Sequence, residues 1–375
     1  MNKIGLITCF INNYGACLQA YALQETLKKA SYDVEILNYT PVKEIQKKNA
    51  FQKIFFWFHE MYRCIRYKNY SYLYRSKKYF SRFRKSYLTF SKEFYKKEED
   101  LYNRSYEYKA FVVGSDQLWN PLIHDNKNNK AYFLDFVSEE KIKIAYAPSF
   151  GISSFPNDEL KKDAKTMLNK FDFLSCREET GAKLVESMTG RKCYSVLDPT
   201  LLLSKEEWES ICQSRIIKED YIFLYRFGES DIEEAILQEF AKMVNLPIYC
   251  LPMSSNDFCN KYNILKPCGP LEFVNYIKNA TFVITDSFHA TVFSINLNTN
   301  FSCLLRNHFG ERNNMNSRIF DVLSKFNLED RLVSDTDSVK SVLKSKIDFT
   351  KSNELLLKFR EHDLNLLKKA LEKNK

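Results

Sequence analysis

The residue best placed by its type and position to do chemistry is a histidine. The apolar run Phe282-Val283-Ile284-Thr285 reads as a buried strand that passes directly into Asp286-Ser287-Phe288-His289-Ala290-Thr291, which reads as a helix start. Asp286 is expected as the N-cap, which puts Ser287 and His289 in the first helical turn. An imidazole there suits proton transfer or an anion contact, because it titrates near neutrality; a purely structural histidine is the plainer alternative. Downstream, Leu305 to Ile319 brings Arg306, His308, Arg312 and Arg318 against one acid, Glu311. That excess of cations suits a ligand with two or more negative charges, or else it is a solvated basic loop.

In open α/β sheets, ligands lie outside the carboxyl ends of the strands, so residues just after each strand are the candidates. After Lys3 to Cys9 come Asn13, Gly15 and Gln19. Gly15 allows a turn, and the free N–H groups of a helix start can receive an anion or a sugar oxygen; an ordinary strand-to-helix turn fits equally. After Ala110 to Val113 come Ser115, Asp116, Gln117, Trp119 and Asn120, a mix of amides, a carboxylate and an indole that suits a carbohydrate, with a turn capped by Asp116 as the alternative. After Phe173 to Cys176 comes Arg177, whose guanidinium fork suits a carboxylate or phosphate unless Glu178 or Glu179 ties it down.

The elements that position these residues alternate. Strand-like runs at Asp33 to Tyr39, Ile142 to Ala147, Tyr194 to Leu197, Tyr221 to Tyr225 and Pro247 to Leu251 are interleaved with helical ones at Ala16 to Ala30, Ile232 to Val244, Pro270 to Asn279 and Ser287 to Asn296. This predicts an α/β protein with two parallel sheets, one per half, and a cleft between them. The expected units are 1–203 and 204–350, with Ser204 capping a new helix; 351–375 is a final helix. From Lys47 to Lys92, thirteen Lys or Arg face a single acid, Glu60, and fifteen rings are interspersed. That is +12 in a chain of net charge +9, and it predicts a helical insert over about 43–104. Stripes such as Phe51, Phe55 and Phe58, or Tyr79, Phe83 and Tyr87, fit either an interfacial helix on an anionic membrane surface or packing on the first core. Ten cysteines without a CxxC pair are expected to be reduced core thiols, and no metal cluster is apparent. With no apolar run long enough to span a bilayer and a start that reads as strand and loop, the expected location is cytoplasmic, with peripheral attachment to the inner membrane face as the further expectation. Confinement of the basic charge to one segment argues against a nucleic-acid partner.

The stretches NNYGACLQAYAL, VVGSDQLWNP, AYAPSFG, SCREETGAKLV, LDPTLLL and ITDSFHATVFSI together resemble the polysaccharide pyruvyl transferase family, from residue 12 to about residue 295. The resemblance implies a two-domain fold like that of GT-B glycosyltransferases, phosphoenolpyruvate as donor with no further cofactor, and a glycan or lipid-linked saccharide as acceptor. It places His289, Arg177 and a basic residue after the histidine helix at the donor; Arg318 fits that position, with Arg312 the alternative. Some relatives carry an arginine before the histidine, where this chain has Ser287-Phe288; the resemblance also makes 1–203 the acceptor side and 204–350 the donor side. In that scheme His289 delivers a proton to the donor methylene, the arginines hold the anion, and Asp116 or Asp286 accepts a hydroxyl proton. A nucleotide-sugar glycosyltransferase of the same fold, or a nonenzymatic surface-binding protein, are the competing expectations.

Overall fold

Two parallel sheets carry the chain, and the cause is the alternation of short apolar runs with amphipathic ones. The computed structural model describes residues 2–41, 66–102, 104, 106–228, 231–258, 261–305 and 316–373. The first half runs β1 (Lys3–Ile7), α1 (Tyr14–Lys29), β2 (Asp33–Tyr39), α2 (Lys68–Tyr87), β3 (Phe90–Tyr95), β4 (Ala110–Val113), β5 (Ile142–Ala145), α3 (Asp158–Leu168), β6 (Ser175–Cys176), α4 (Glu179–Thr189) and β7 (Tyr194–Ser195). Its five-stranded sheet has the order β3-β2-β1-β4-β5, all parallel. The pair β6-β7 extends the layer through a bridge between Ile144 and Phe173.

The second half runs α5 (Lys205–Ile211), β8 (Ile222–Tyr225), α6 (Asp231–Val244), β9 (Ile248–Cys250), β10 (Asn263–Ile264), α7 (Pro270–Asn279), β11 (Phe282–Thr285), α8 (Phe288–Leu297), β12 (Phe301–Leu304), α9 (Ser317–Lys325), β13 (Leu332–Val333), α10 (Thr336–Lys344) and α11 (Phe349–Leu371). Its six strands are ordered β10-β9-β8-β11-β12-β13. Every residue of β4, β5, β8, β11 and β12 is buried, as expected where helices cover both faces of a parallel sheet. Each half is thus a Rossmann-like α/β unit.

The segment rich in bases and rings departs from a purely helical insert. Residues 42–65, with Phe51, Phe55 and Phe58, lie outside the described residues. The following α2 is helical, but Phe90–Tyr95 is a strand that pairs with β2 at the sheet edge. Lys92, Glu93 and Phe94 are exposed in succession beside a register shift, so the sequence shows no clean alternation. In α2 the stripe of rings points inward: Phe80 and Phe83 are 3% and 4% exposed, and Phe83 stacks on Tyr87 at 5.1 Å against Tyr21. No described helix is long and apolar enough to cross a membrane.

The two units share one hydrophobic core. Tyr14, the first residue of α1, stacks on Phe273 at 5.0 Å and meets Phe80 at 4.9 Å, joining the first unit, α2 and the second unit. The connection after β7 is tied by hydrogen bonds from the second unit. Asn296 of α8 donates to Thr200 O at 3.0 Å and Leu203 O at 2.9 Å, and Arg360 of α11 donates to Leu201 O at 2.8 Å. Ser204 caps α5 in a capping box with Glu207. Asn296→Ala should destabilise the protein by about 1–3 kcal/mol, because two buried hydrogen bonds to the connection are lost. Urea unfolding checks this; an unchanged midpoint would mean that Arg360 and Trp208, which bond the same carbonyls, hold the connection without it.

Candidate active site

The carboxyl edges of the two sheets face each other, and a buried carboxylate stands where they meet. Asp198, 2% exposed, follows β7. Its Oδ1 accepts from Thr200 N at 3.0 Å and Thr200 Oγ1 at 2.7 Å. Its Oδ2 accepts from Ser115 Oγ at 3.0 Å and Arg177 Nη1 at 3.2 Å, and lies 3.8 Å from His289 Nε2. Ser115 and Arg177 come from the first unit and His289 from the second. Burial pushes the Asp198 carboxyl up, but His289, Arg177 and the Thr200 N–H outweigh it and hold it below the usual carboxylate range.

His289 is the second residue of α8, and 12% of its side chain is exposed. Burial lowers its basicity below that of a free imidazole; Asp198 and Asp116 oppose the shift, while Arg177 and Arg318 add to it. The ring is accommodated by Gly15, where an added Cβ would fall 2.1 Å from His289 Nδ1. The expected role of Gly15 as a turn residue is therefore replaced by one of close approach: any side chain would drive the histidine off the first unit. Asn13 caps α1, accepting from Ala16 N at 3.1 Å, and Tyr14 anchors the same turn to the second unit.

The cap of α8 is Ser287, whose side chain accepts from Ala290 N, and not Asp286 as expected. The Asp286 carboxylate turns the other way and accepts from Phe227 N at 2.9 Å and Gly228 N at 2.8 Å, pinning the loop after β8. That leaves it unsuited to deprotonate a hydroxyl in the cleft.

Arg177 spreads its guanidinium over the Phe288 ring at 4.2 Å, so α8 packs on it from the second unit. Asp116 Oδ1 lies 3.7 Å from Nη2 and Glu178 Oε2 lies 3.8 Å from Nε, both beyond hydrogen-bond length. Nε and Nη2 have no hydrogen-bond partner among the described residues. Burial works against the Arg177 charge, but Asp198, Asp116 and Glu178 outweigh it and hold the guanidinium ionised. Arg318 enters from the first turn of α9, and its Nη1 lies 2.8 Å from the Gln117 side-chain amide, whose oxygen accepts from it once the amide is turned, a contact between the two units. Arg312, with Arg306 and His308, lies outside the described residues.

The loop after β4 divides its residues between site and interior. Gly114 has φ +134°, and an added Cβ would fall 1.8 Å from Tyr146 O, so only glycine lets the chain pass. Asp116 and Gln117 are half-buried at the cleft; Asp116 Oδ1 accepts from Gln117 N at 2.9 Å, so the local turn and the approach to Arg177 coexist. Trp119 is not a sugar platform. It is 1% exposed, stacks on Phe133 at 5.3 Å and donates to Tyr132 O, because a wide indole completes the core under the loop. Asn120, 5% exposed, accepts from Leu122 N to start the next turn. Gln19, fully buried, accepts from Ser115 N at 2.8 Å and donates to Thr8 Oγ1 and Cys9 O. It positions Ser115 and has no amide group facing a ligand.

Beside these groups lies a cavity of about 370 Å³ lined by Arg177, Asp198, Phe288, Arg318, Asp321 and Lys325, among others. The volume falls in the range of small-molecule sites. Asp198, Phe288 and Lys325 were missed as site residues in the sequence. The signal for Asp198 was the Asp-Pro-Thr directly after a strand, where the sequence reading saw only a unit boundary. Among the described residues no three His, Cys, Asp or Glu side chains are grouped to hold a metal.

The family model for polysaccharide pyruvyl transferase matches residues 13–308. The chain belongs to the polysaccharide pyruvyl transferase family. No curated protein sequence matches it. Among solved structures it is similar to the UDP-GlcNAc 2-epimerase of Methanocaldococcus jannaschii, with 13% identity, TM-score 0.51, and 92% of this chain and 93% of that one covered. It is also similar to Arabidopsis thaliana UGT89C1 complexed with UDP-L-rhamnose, with 8% identity, TM-score 0.51 and 98% of both chains covered. At such identities the likeness is one of fold, and the fold of this pyruvyl transferase family member is GT-B-like.

Asp198→Asn should move the His289 titration to lower pH, since the carboxylate that favours the imidazolium is gone while burial and the arginines still oppose it. The His289 ring resonance followed by NMR between pH 4 and 8 checks this. An unmoved titration in a folded variant would reduce Asp198 to a packing role.

Proposed function

We propose that the protein transfers a pyruvyl group from phosphoenolpyruvate to two hydroxyls of a glycan, forming a pyruvate ketal. The observation that carries this reading is the cavity lined by Arg177, Asp198 and Arg318, with His289 Nε2 3.8 Å from the Asp198 carboxylate, within a pyruvyl transferase family member. A small donor with a carboxylate and a phosphate needs two cations held apart, and one comes from each unit. Arg177 has two nitrogens, Nε and Nη2, without a hydrogen-bond partner among the described residues, the pair a guanidinium uses for bidentate binding of an oxyanion. Donor binding then holds the units together across the cleft and excludes water.

His289 enters the cycle with its basicity lowered by burial, and the arriving anion favours its imidazolium. The imidazolium gives its proton to the donor methylene carbon, while one acceptor hydroxyl adds to the enol carbon and releases its proton to Asp116. The product of this step is a phosphorylated half-ketal. The second hydroxyl then displaces phosphate from the same carbon and closes the ketal, its proton returning to the now neutral His289, while the proton held by Asp116 leaves with the phosphate. The fixed guanidinium groups stabilise the charge that builds on the phosphate oxygens as the bond breaks.

Phosphate release from phosphoenolpyruvate, screened over glycan acceptors with mass spectrometry of the product, is the direct test. A mass gain of one pyruvyl ketal is expected. His289→Ala should lower turnover by about 10²–10⁴-fold with the fold intact. Arg318→Ala and Arg177→Lys should each weaken donor binding by about 1.5–3 kcal/mol. Arg177→Ala is a poorer probe, because it strands a buried Asp198 carboxylate. Unchanged donor affinity in both arginine variants would remove the donor from this cavity.

A further inference from the structure

A second concavity of about 480 Å³ lies between α2 and the second unit, apart from the residues of the site above. One wall is the face of α2 that repeats at helical spacing through Lys68, Arg75, Lys78 and Tyr79; the other carries Phe258 and Lys266. Tyr72 closes the floor, donating from its hydroxyl to Lys266 O at 3.0 Å, with Phe258 edge-on at 6.1 Å. Lys68, Arg75 and Lys78 are exposed. Among the described residues, none of the four cations forms an ion pair with a carboxylate. Cations gathered in a concavity repel one another, a cost that packing alone does not require. Phe258 and Tyr79 are part-exposed rings beside them, and the face of a ring suits a pyranose.

We propose that this groove binds a phosphate-bearing saccharide, the cations holding the phosphate and Tyr79 or Phe258 receiving a sugar face. The inference rests on the glycan-acceptor reading for its biological ligand, and it assigns that acceptor an anionic group away from the hydroxyls that react. The floor of the groove is tied to the core: Tyr72 is 5% exposed, and Phe80, two turns further along α2, meets Tyr14 in the shared core. Acceptor bound here would therefore touch both units and the element that joins them.

The test is calorimetry at low ionic strength with pentamannose 6-phosphate, neutral mannopentaose and phosphatidylglycerol vesicles as probes. Wild type should bind the phosphorylated sugar at least tenfold more tightly than the neutral one, with affinity falling as salt rises. The exposed double variant Arg75→Glu/Lys78→Glu should lose at least tenfold, and Lys266→Glu on the opposite wall should repeat the loss. Phosphoenolpyruvate titrated into the same variants should bind as to wild type. Equal affinity for both sugars, or unchanged binding in both variants, overturns the proposal. Vesicle binding without sugar binding also overturns it and assigns the surface to lipid headgroups. If the groove results hold while phosphoenolpyruvate binds neither wild type nor variants, the donor reading fails and the groove stands.

Discussion

A buried carboxylate is costly to hold ionised unless it is surrounded by donors, and Asp198 takes its hydrogen bonds from the first unit and a further charge interaction from His289 of the second. Thr200 and Ser115 supply neutral hydrogen bonds, Arg177 supplies a charge, and the partial charge of His289 arrives from the other sheet. Removing any one donor leaves the others closer to an uncompensated charge, whose cost in a protein interior reaches several kcal/mol. The candidate site is therefore fixed by the same interaction that aligns the units. Its arginine is held on one side by Asp198 and Phe288, and its Nε and Nη2 have no hydrogen-bond partner among the described residues.

The first turn of α1 shows how closely sequence order is tied to this geometry. Asn13 ends the loop as a cap, Tyr14 enters the aromatic cluster of the second unit, and Gly15 leaves room for His289. Three consecutive residues thus set the helix start, the contact between units and the histidine position. Apolar packing fixes the back of the interface through Tyr14, Phe80 and Phe273, whereas the cleft side is joined by polar contacts such as Gln117 with Arg318 and Thr180 with Asp321. Polar contacts exchange readily with water and ligand, while the core side does not. Motion that admits a ligand is thus expected to pivot about the aromatic side.

Much of this was legible in the sequence because strands buried on both faces are plain apolar runs, and the residue after each run is at the cleft by topology. That logic leads to Arg177, Asp116 and His289 without any knowledge of contacts. It fails where a side chain's direction, not its position along the chain, decides the outcome. Trp119 and Asn120 follow the same strand as Asp116 but turn inward, because the indole fits between Phe133 and Phe150. Asp286 was the natural cap by type, yet two backbone N–H groups from a strand sixty residues away claim it. Asp198 was hidden for the opposite reason: its partners come from Ser115, Arg177 and His289, distant in sequence and invisible to any local pattern. The strand Phe90–Tyr95 was obscured because an edge strand buries few of its side chains.

The GT-B-like fold is shared with proteins that act on nucleotide sugars, so the fold alone leaves the ligand open. What differs from one such protein to another is where anion-binding capacity is left unfilled. At the end of β8 the backbone N–H groups of Phe227 and Gly228, the kind of donors that could receive a diphosphate, already meet the Asp286 carboxylate. Arg226 beside them is 4% exposed and faces Glu233, Glu234 and Asp257, so acids outnumber the cation there. A polyanion at that strand end would displace an internal carboxylate and approach three others. Arg177, between the units, also faces three carboxylates, but there Arg318 and Lys325 line the same cavity and add two further cations. This distribution favours a small anion held across the cleft over a nucleotide held within the second unit, and it follows from charges that a shared backbone topology does not constrain.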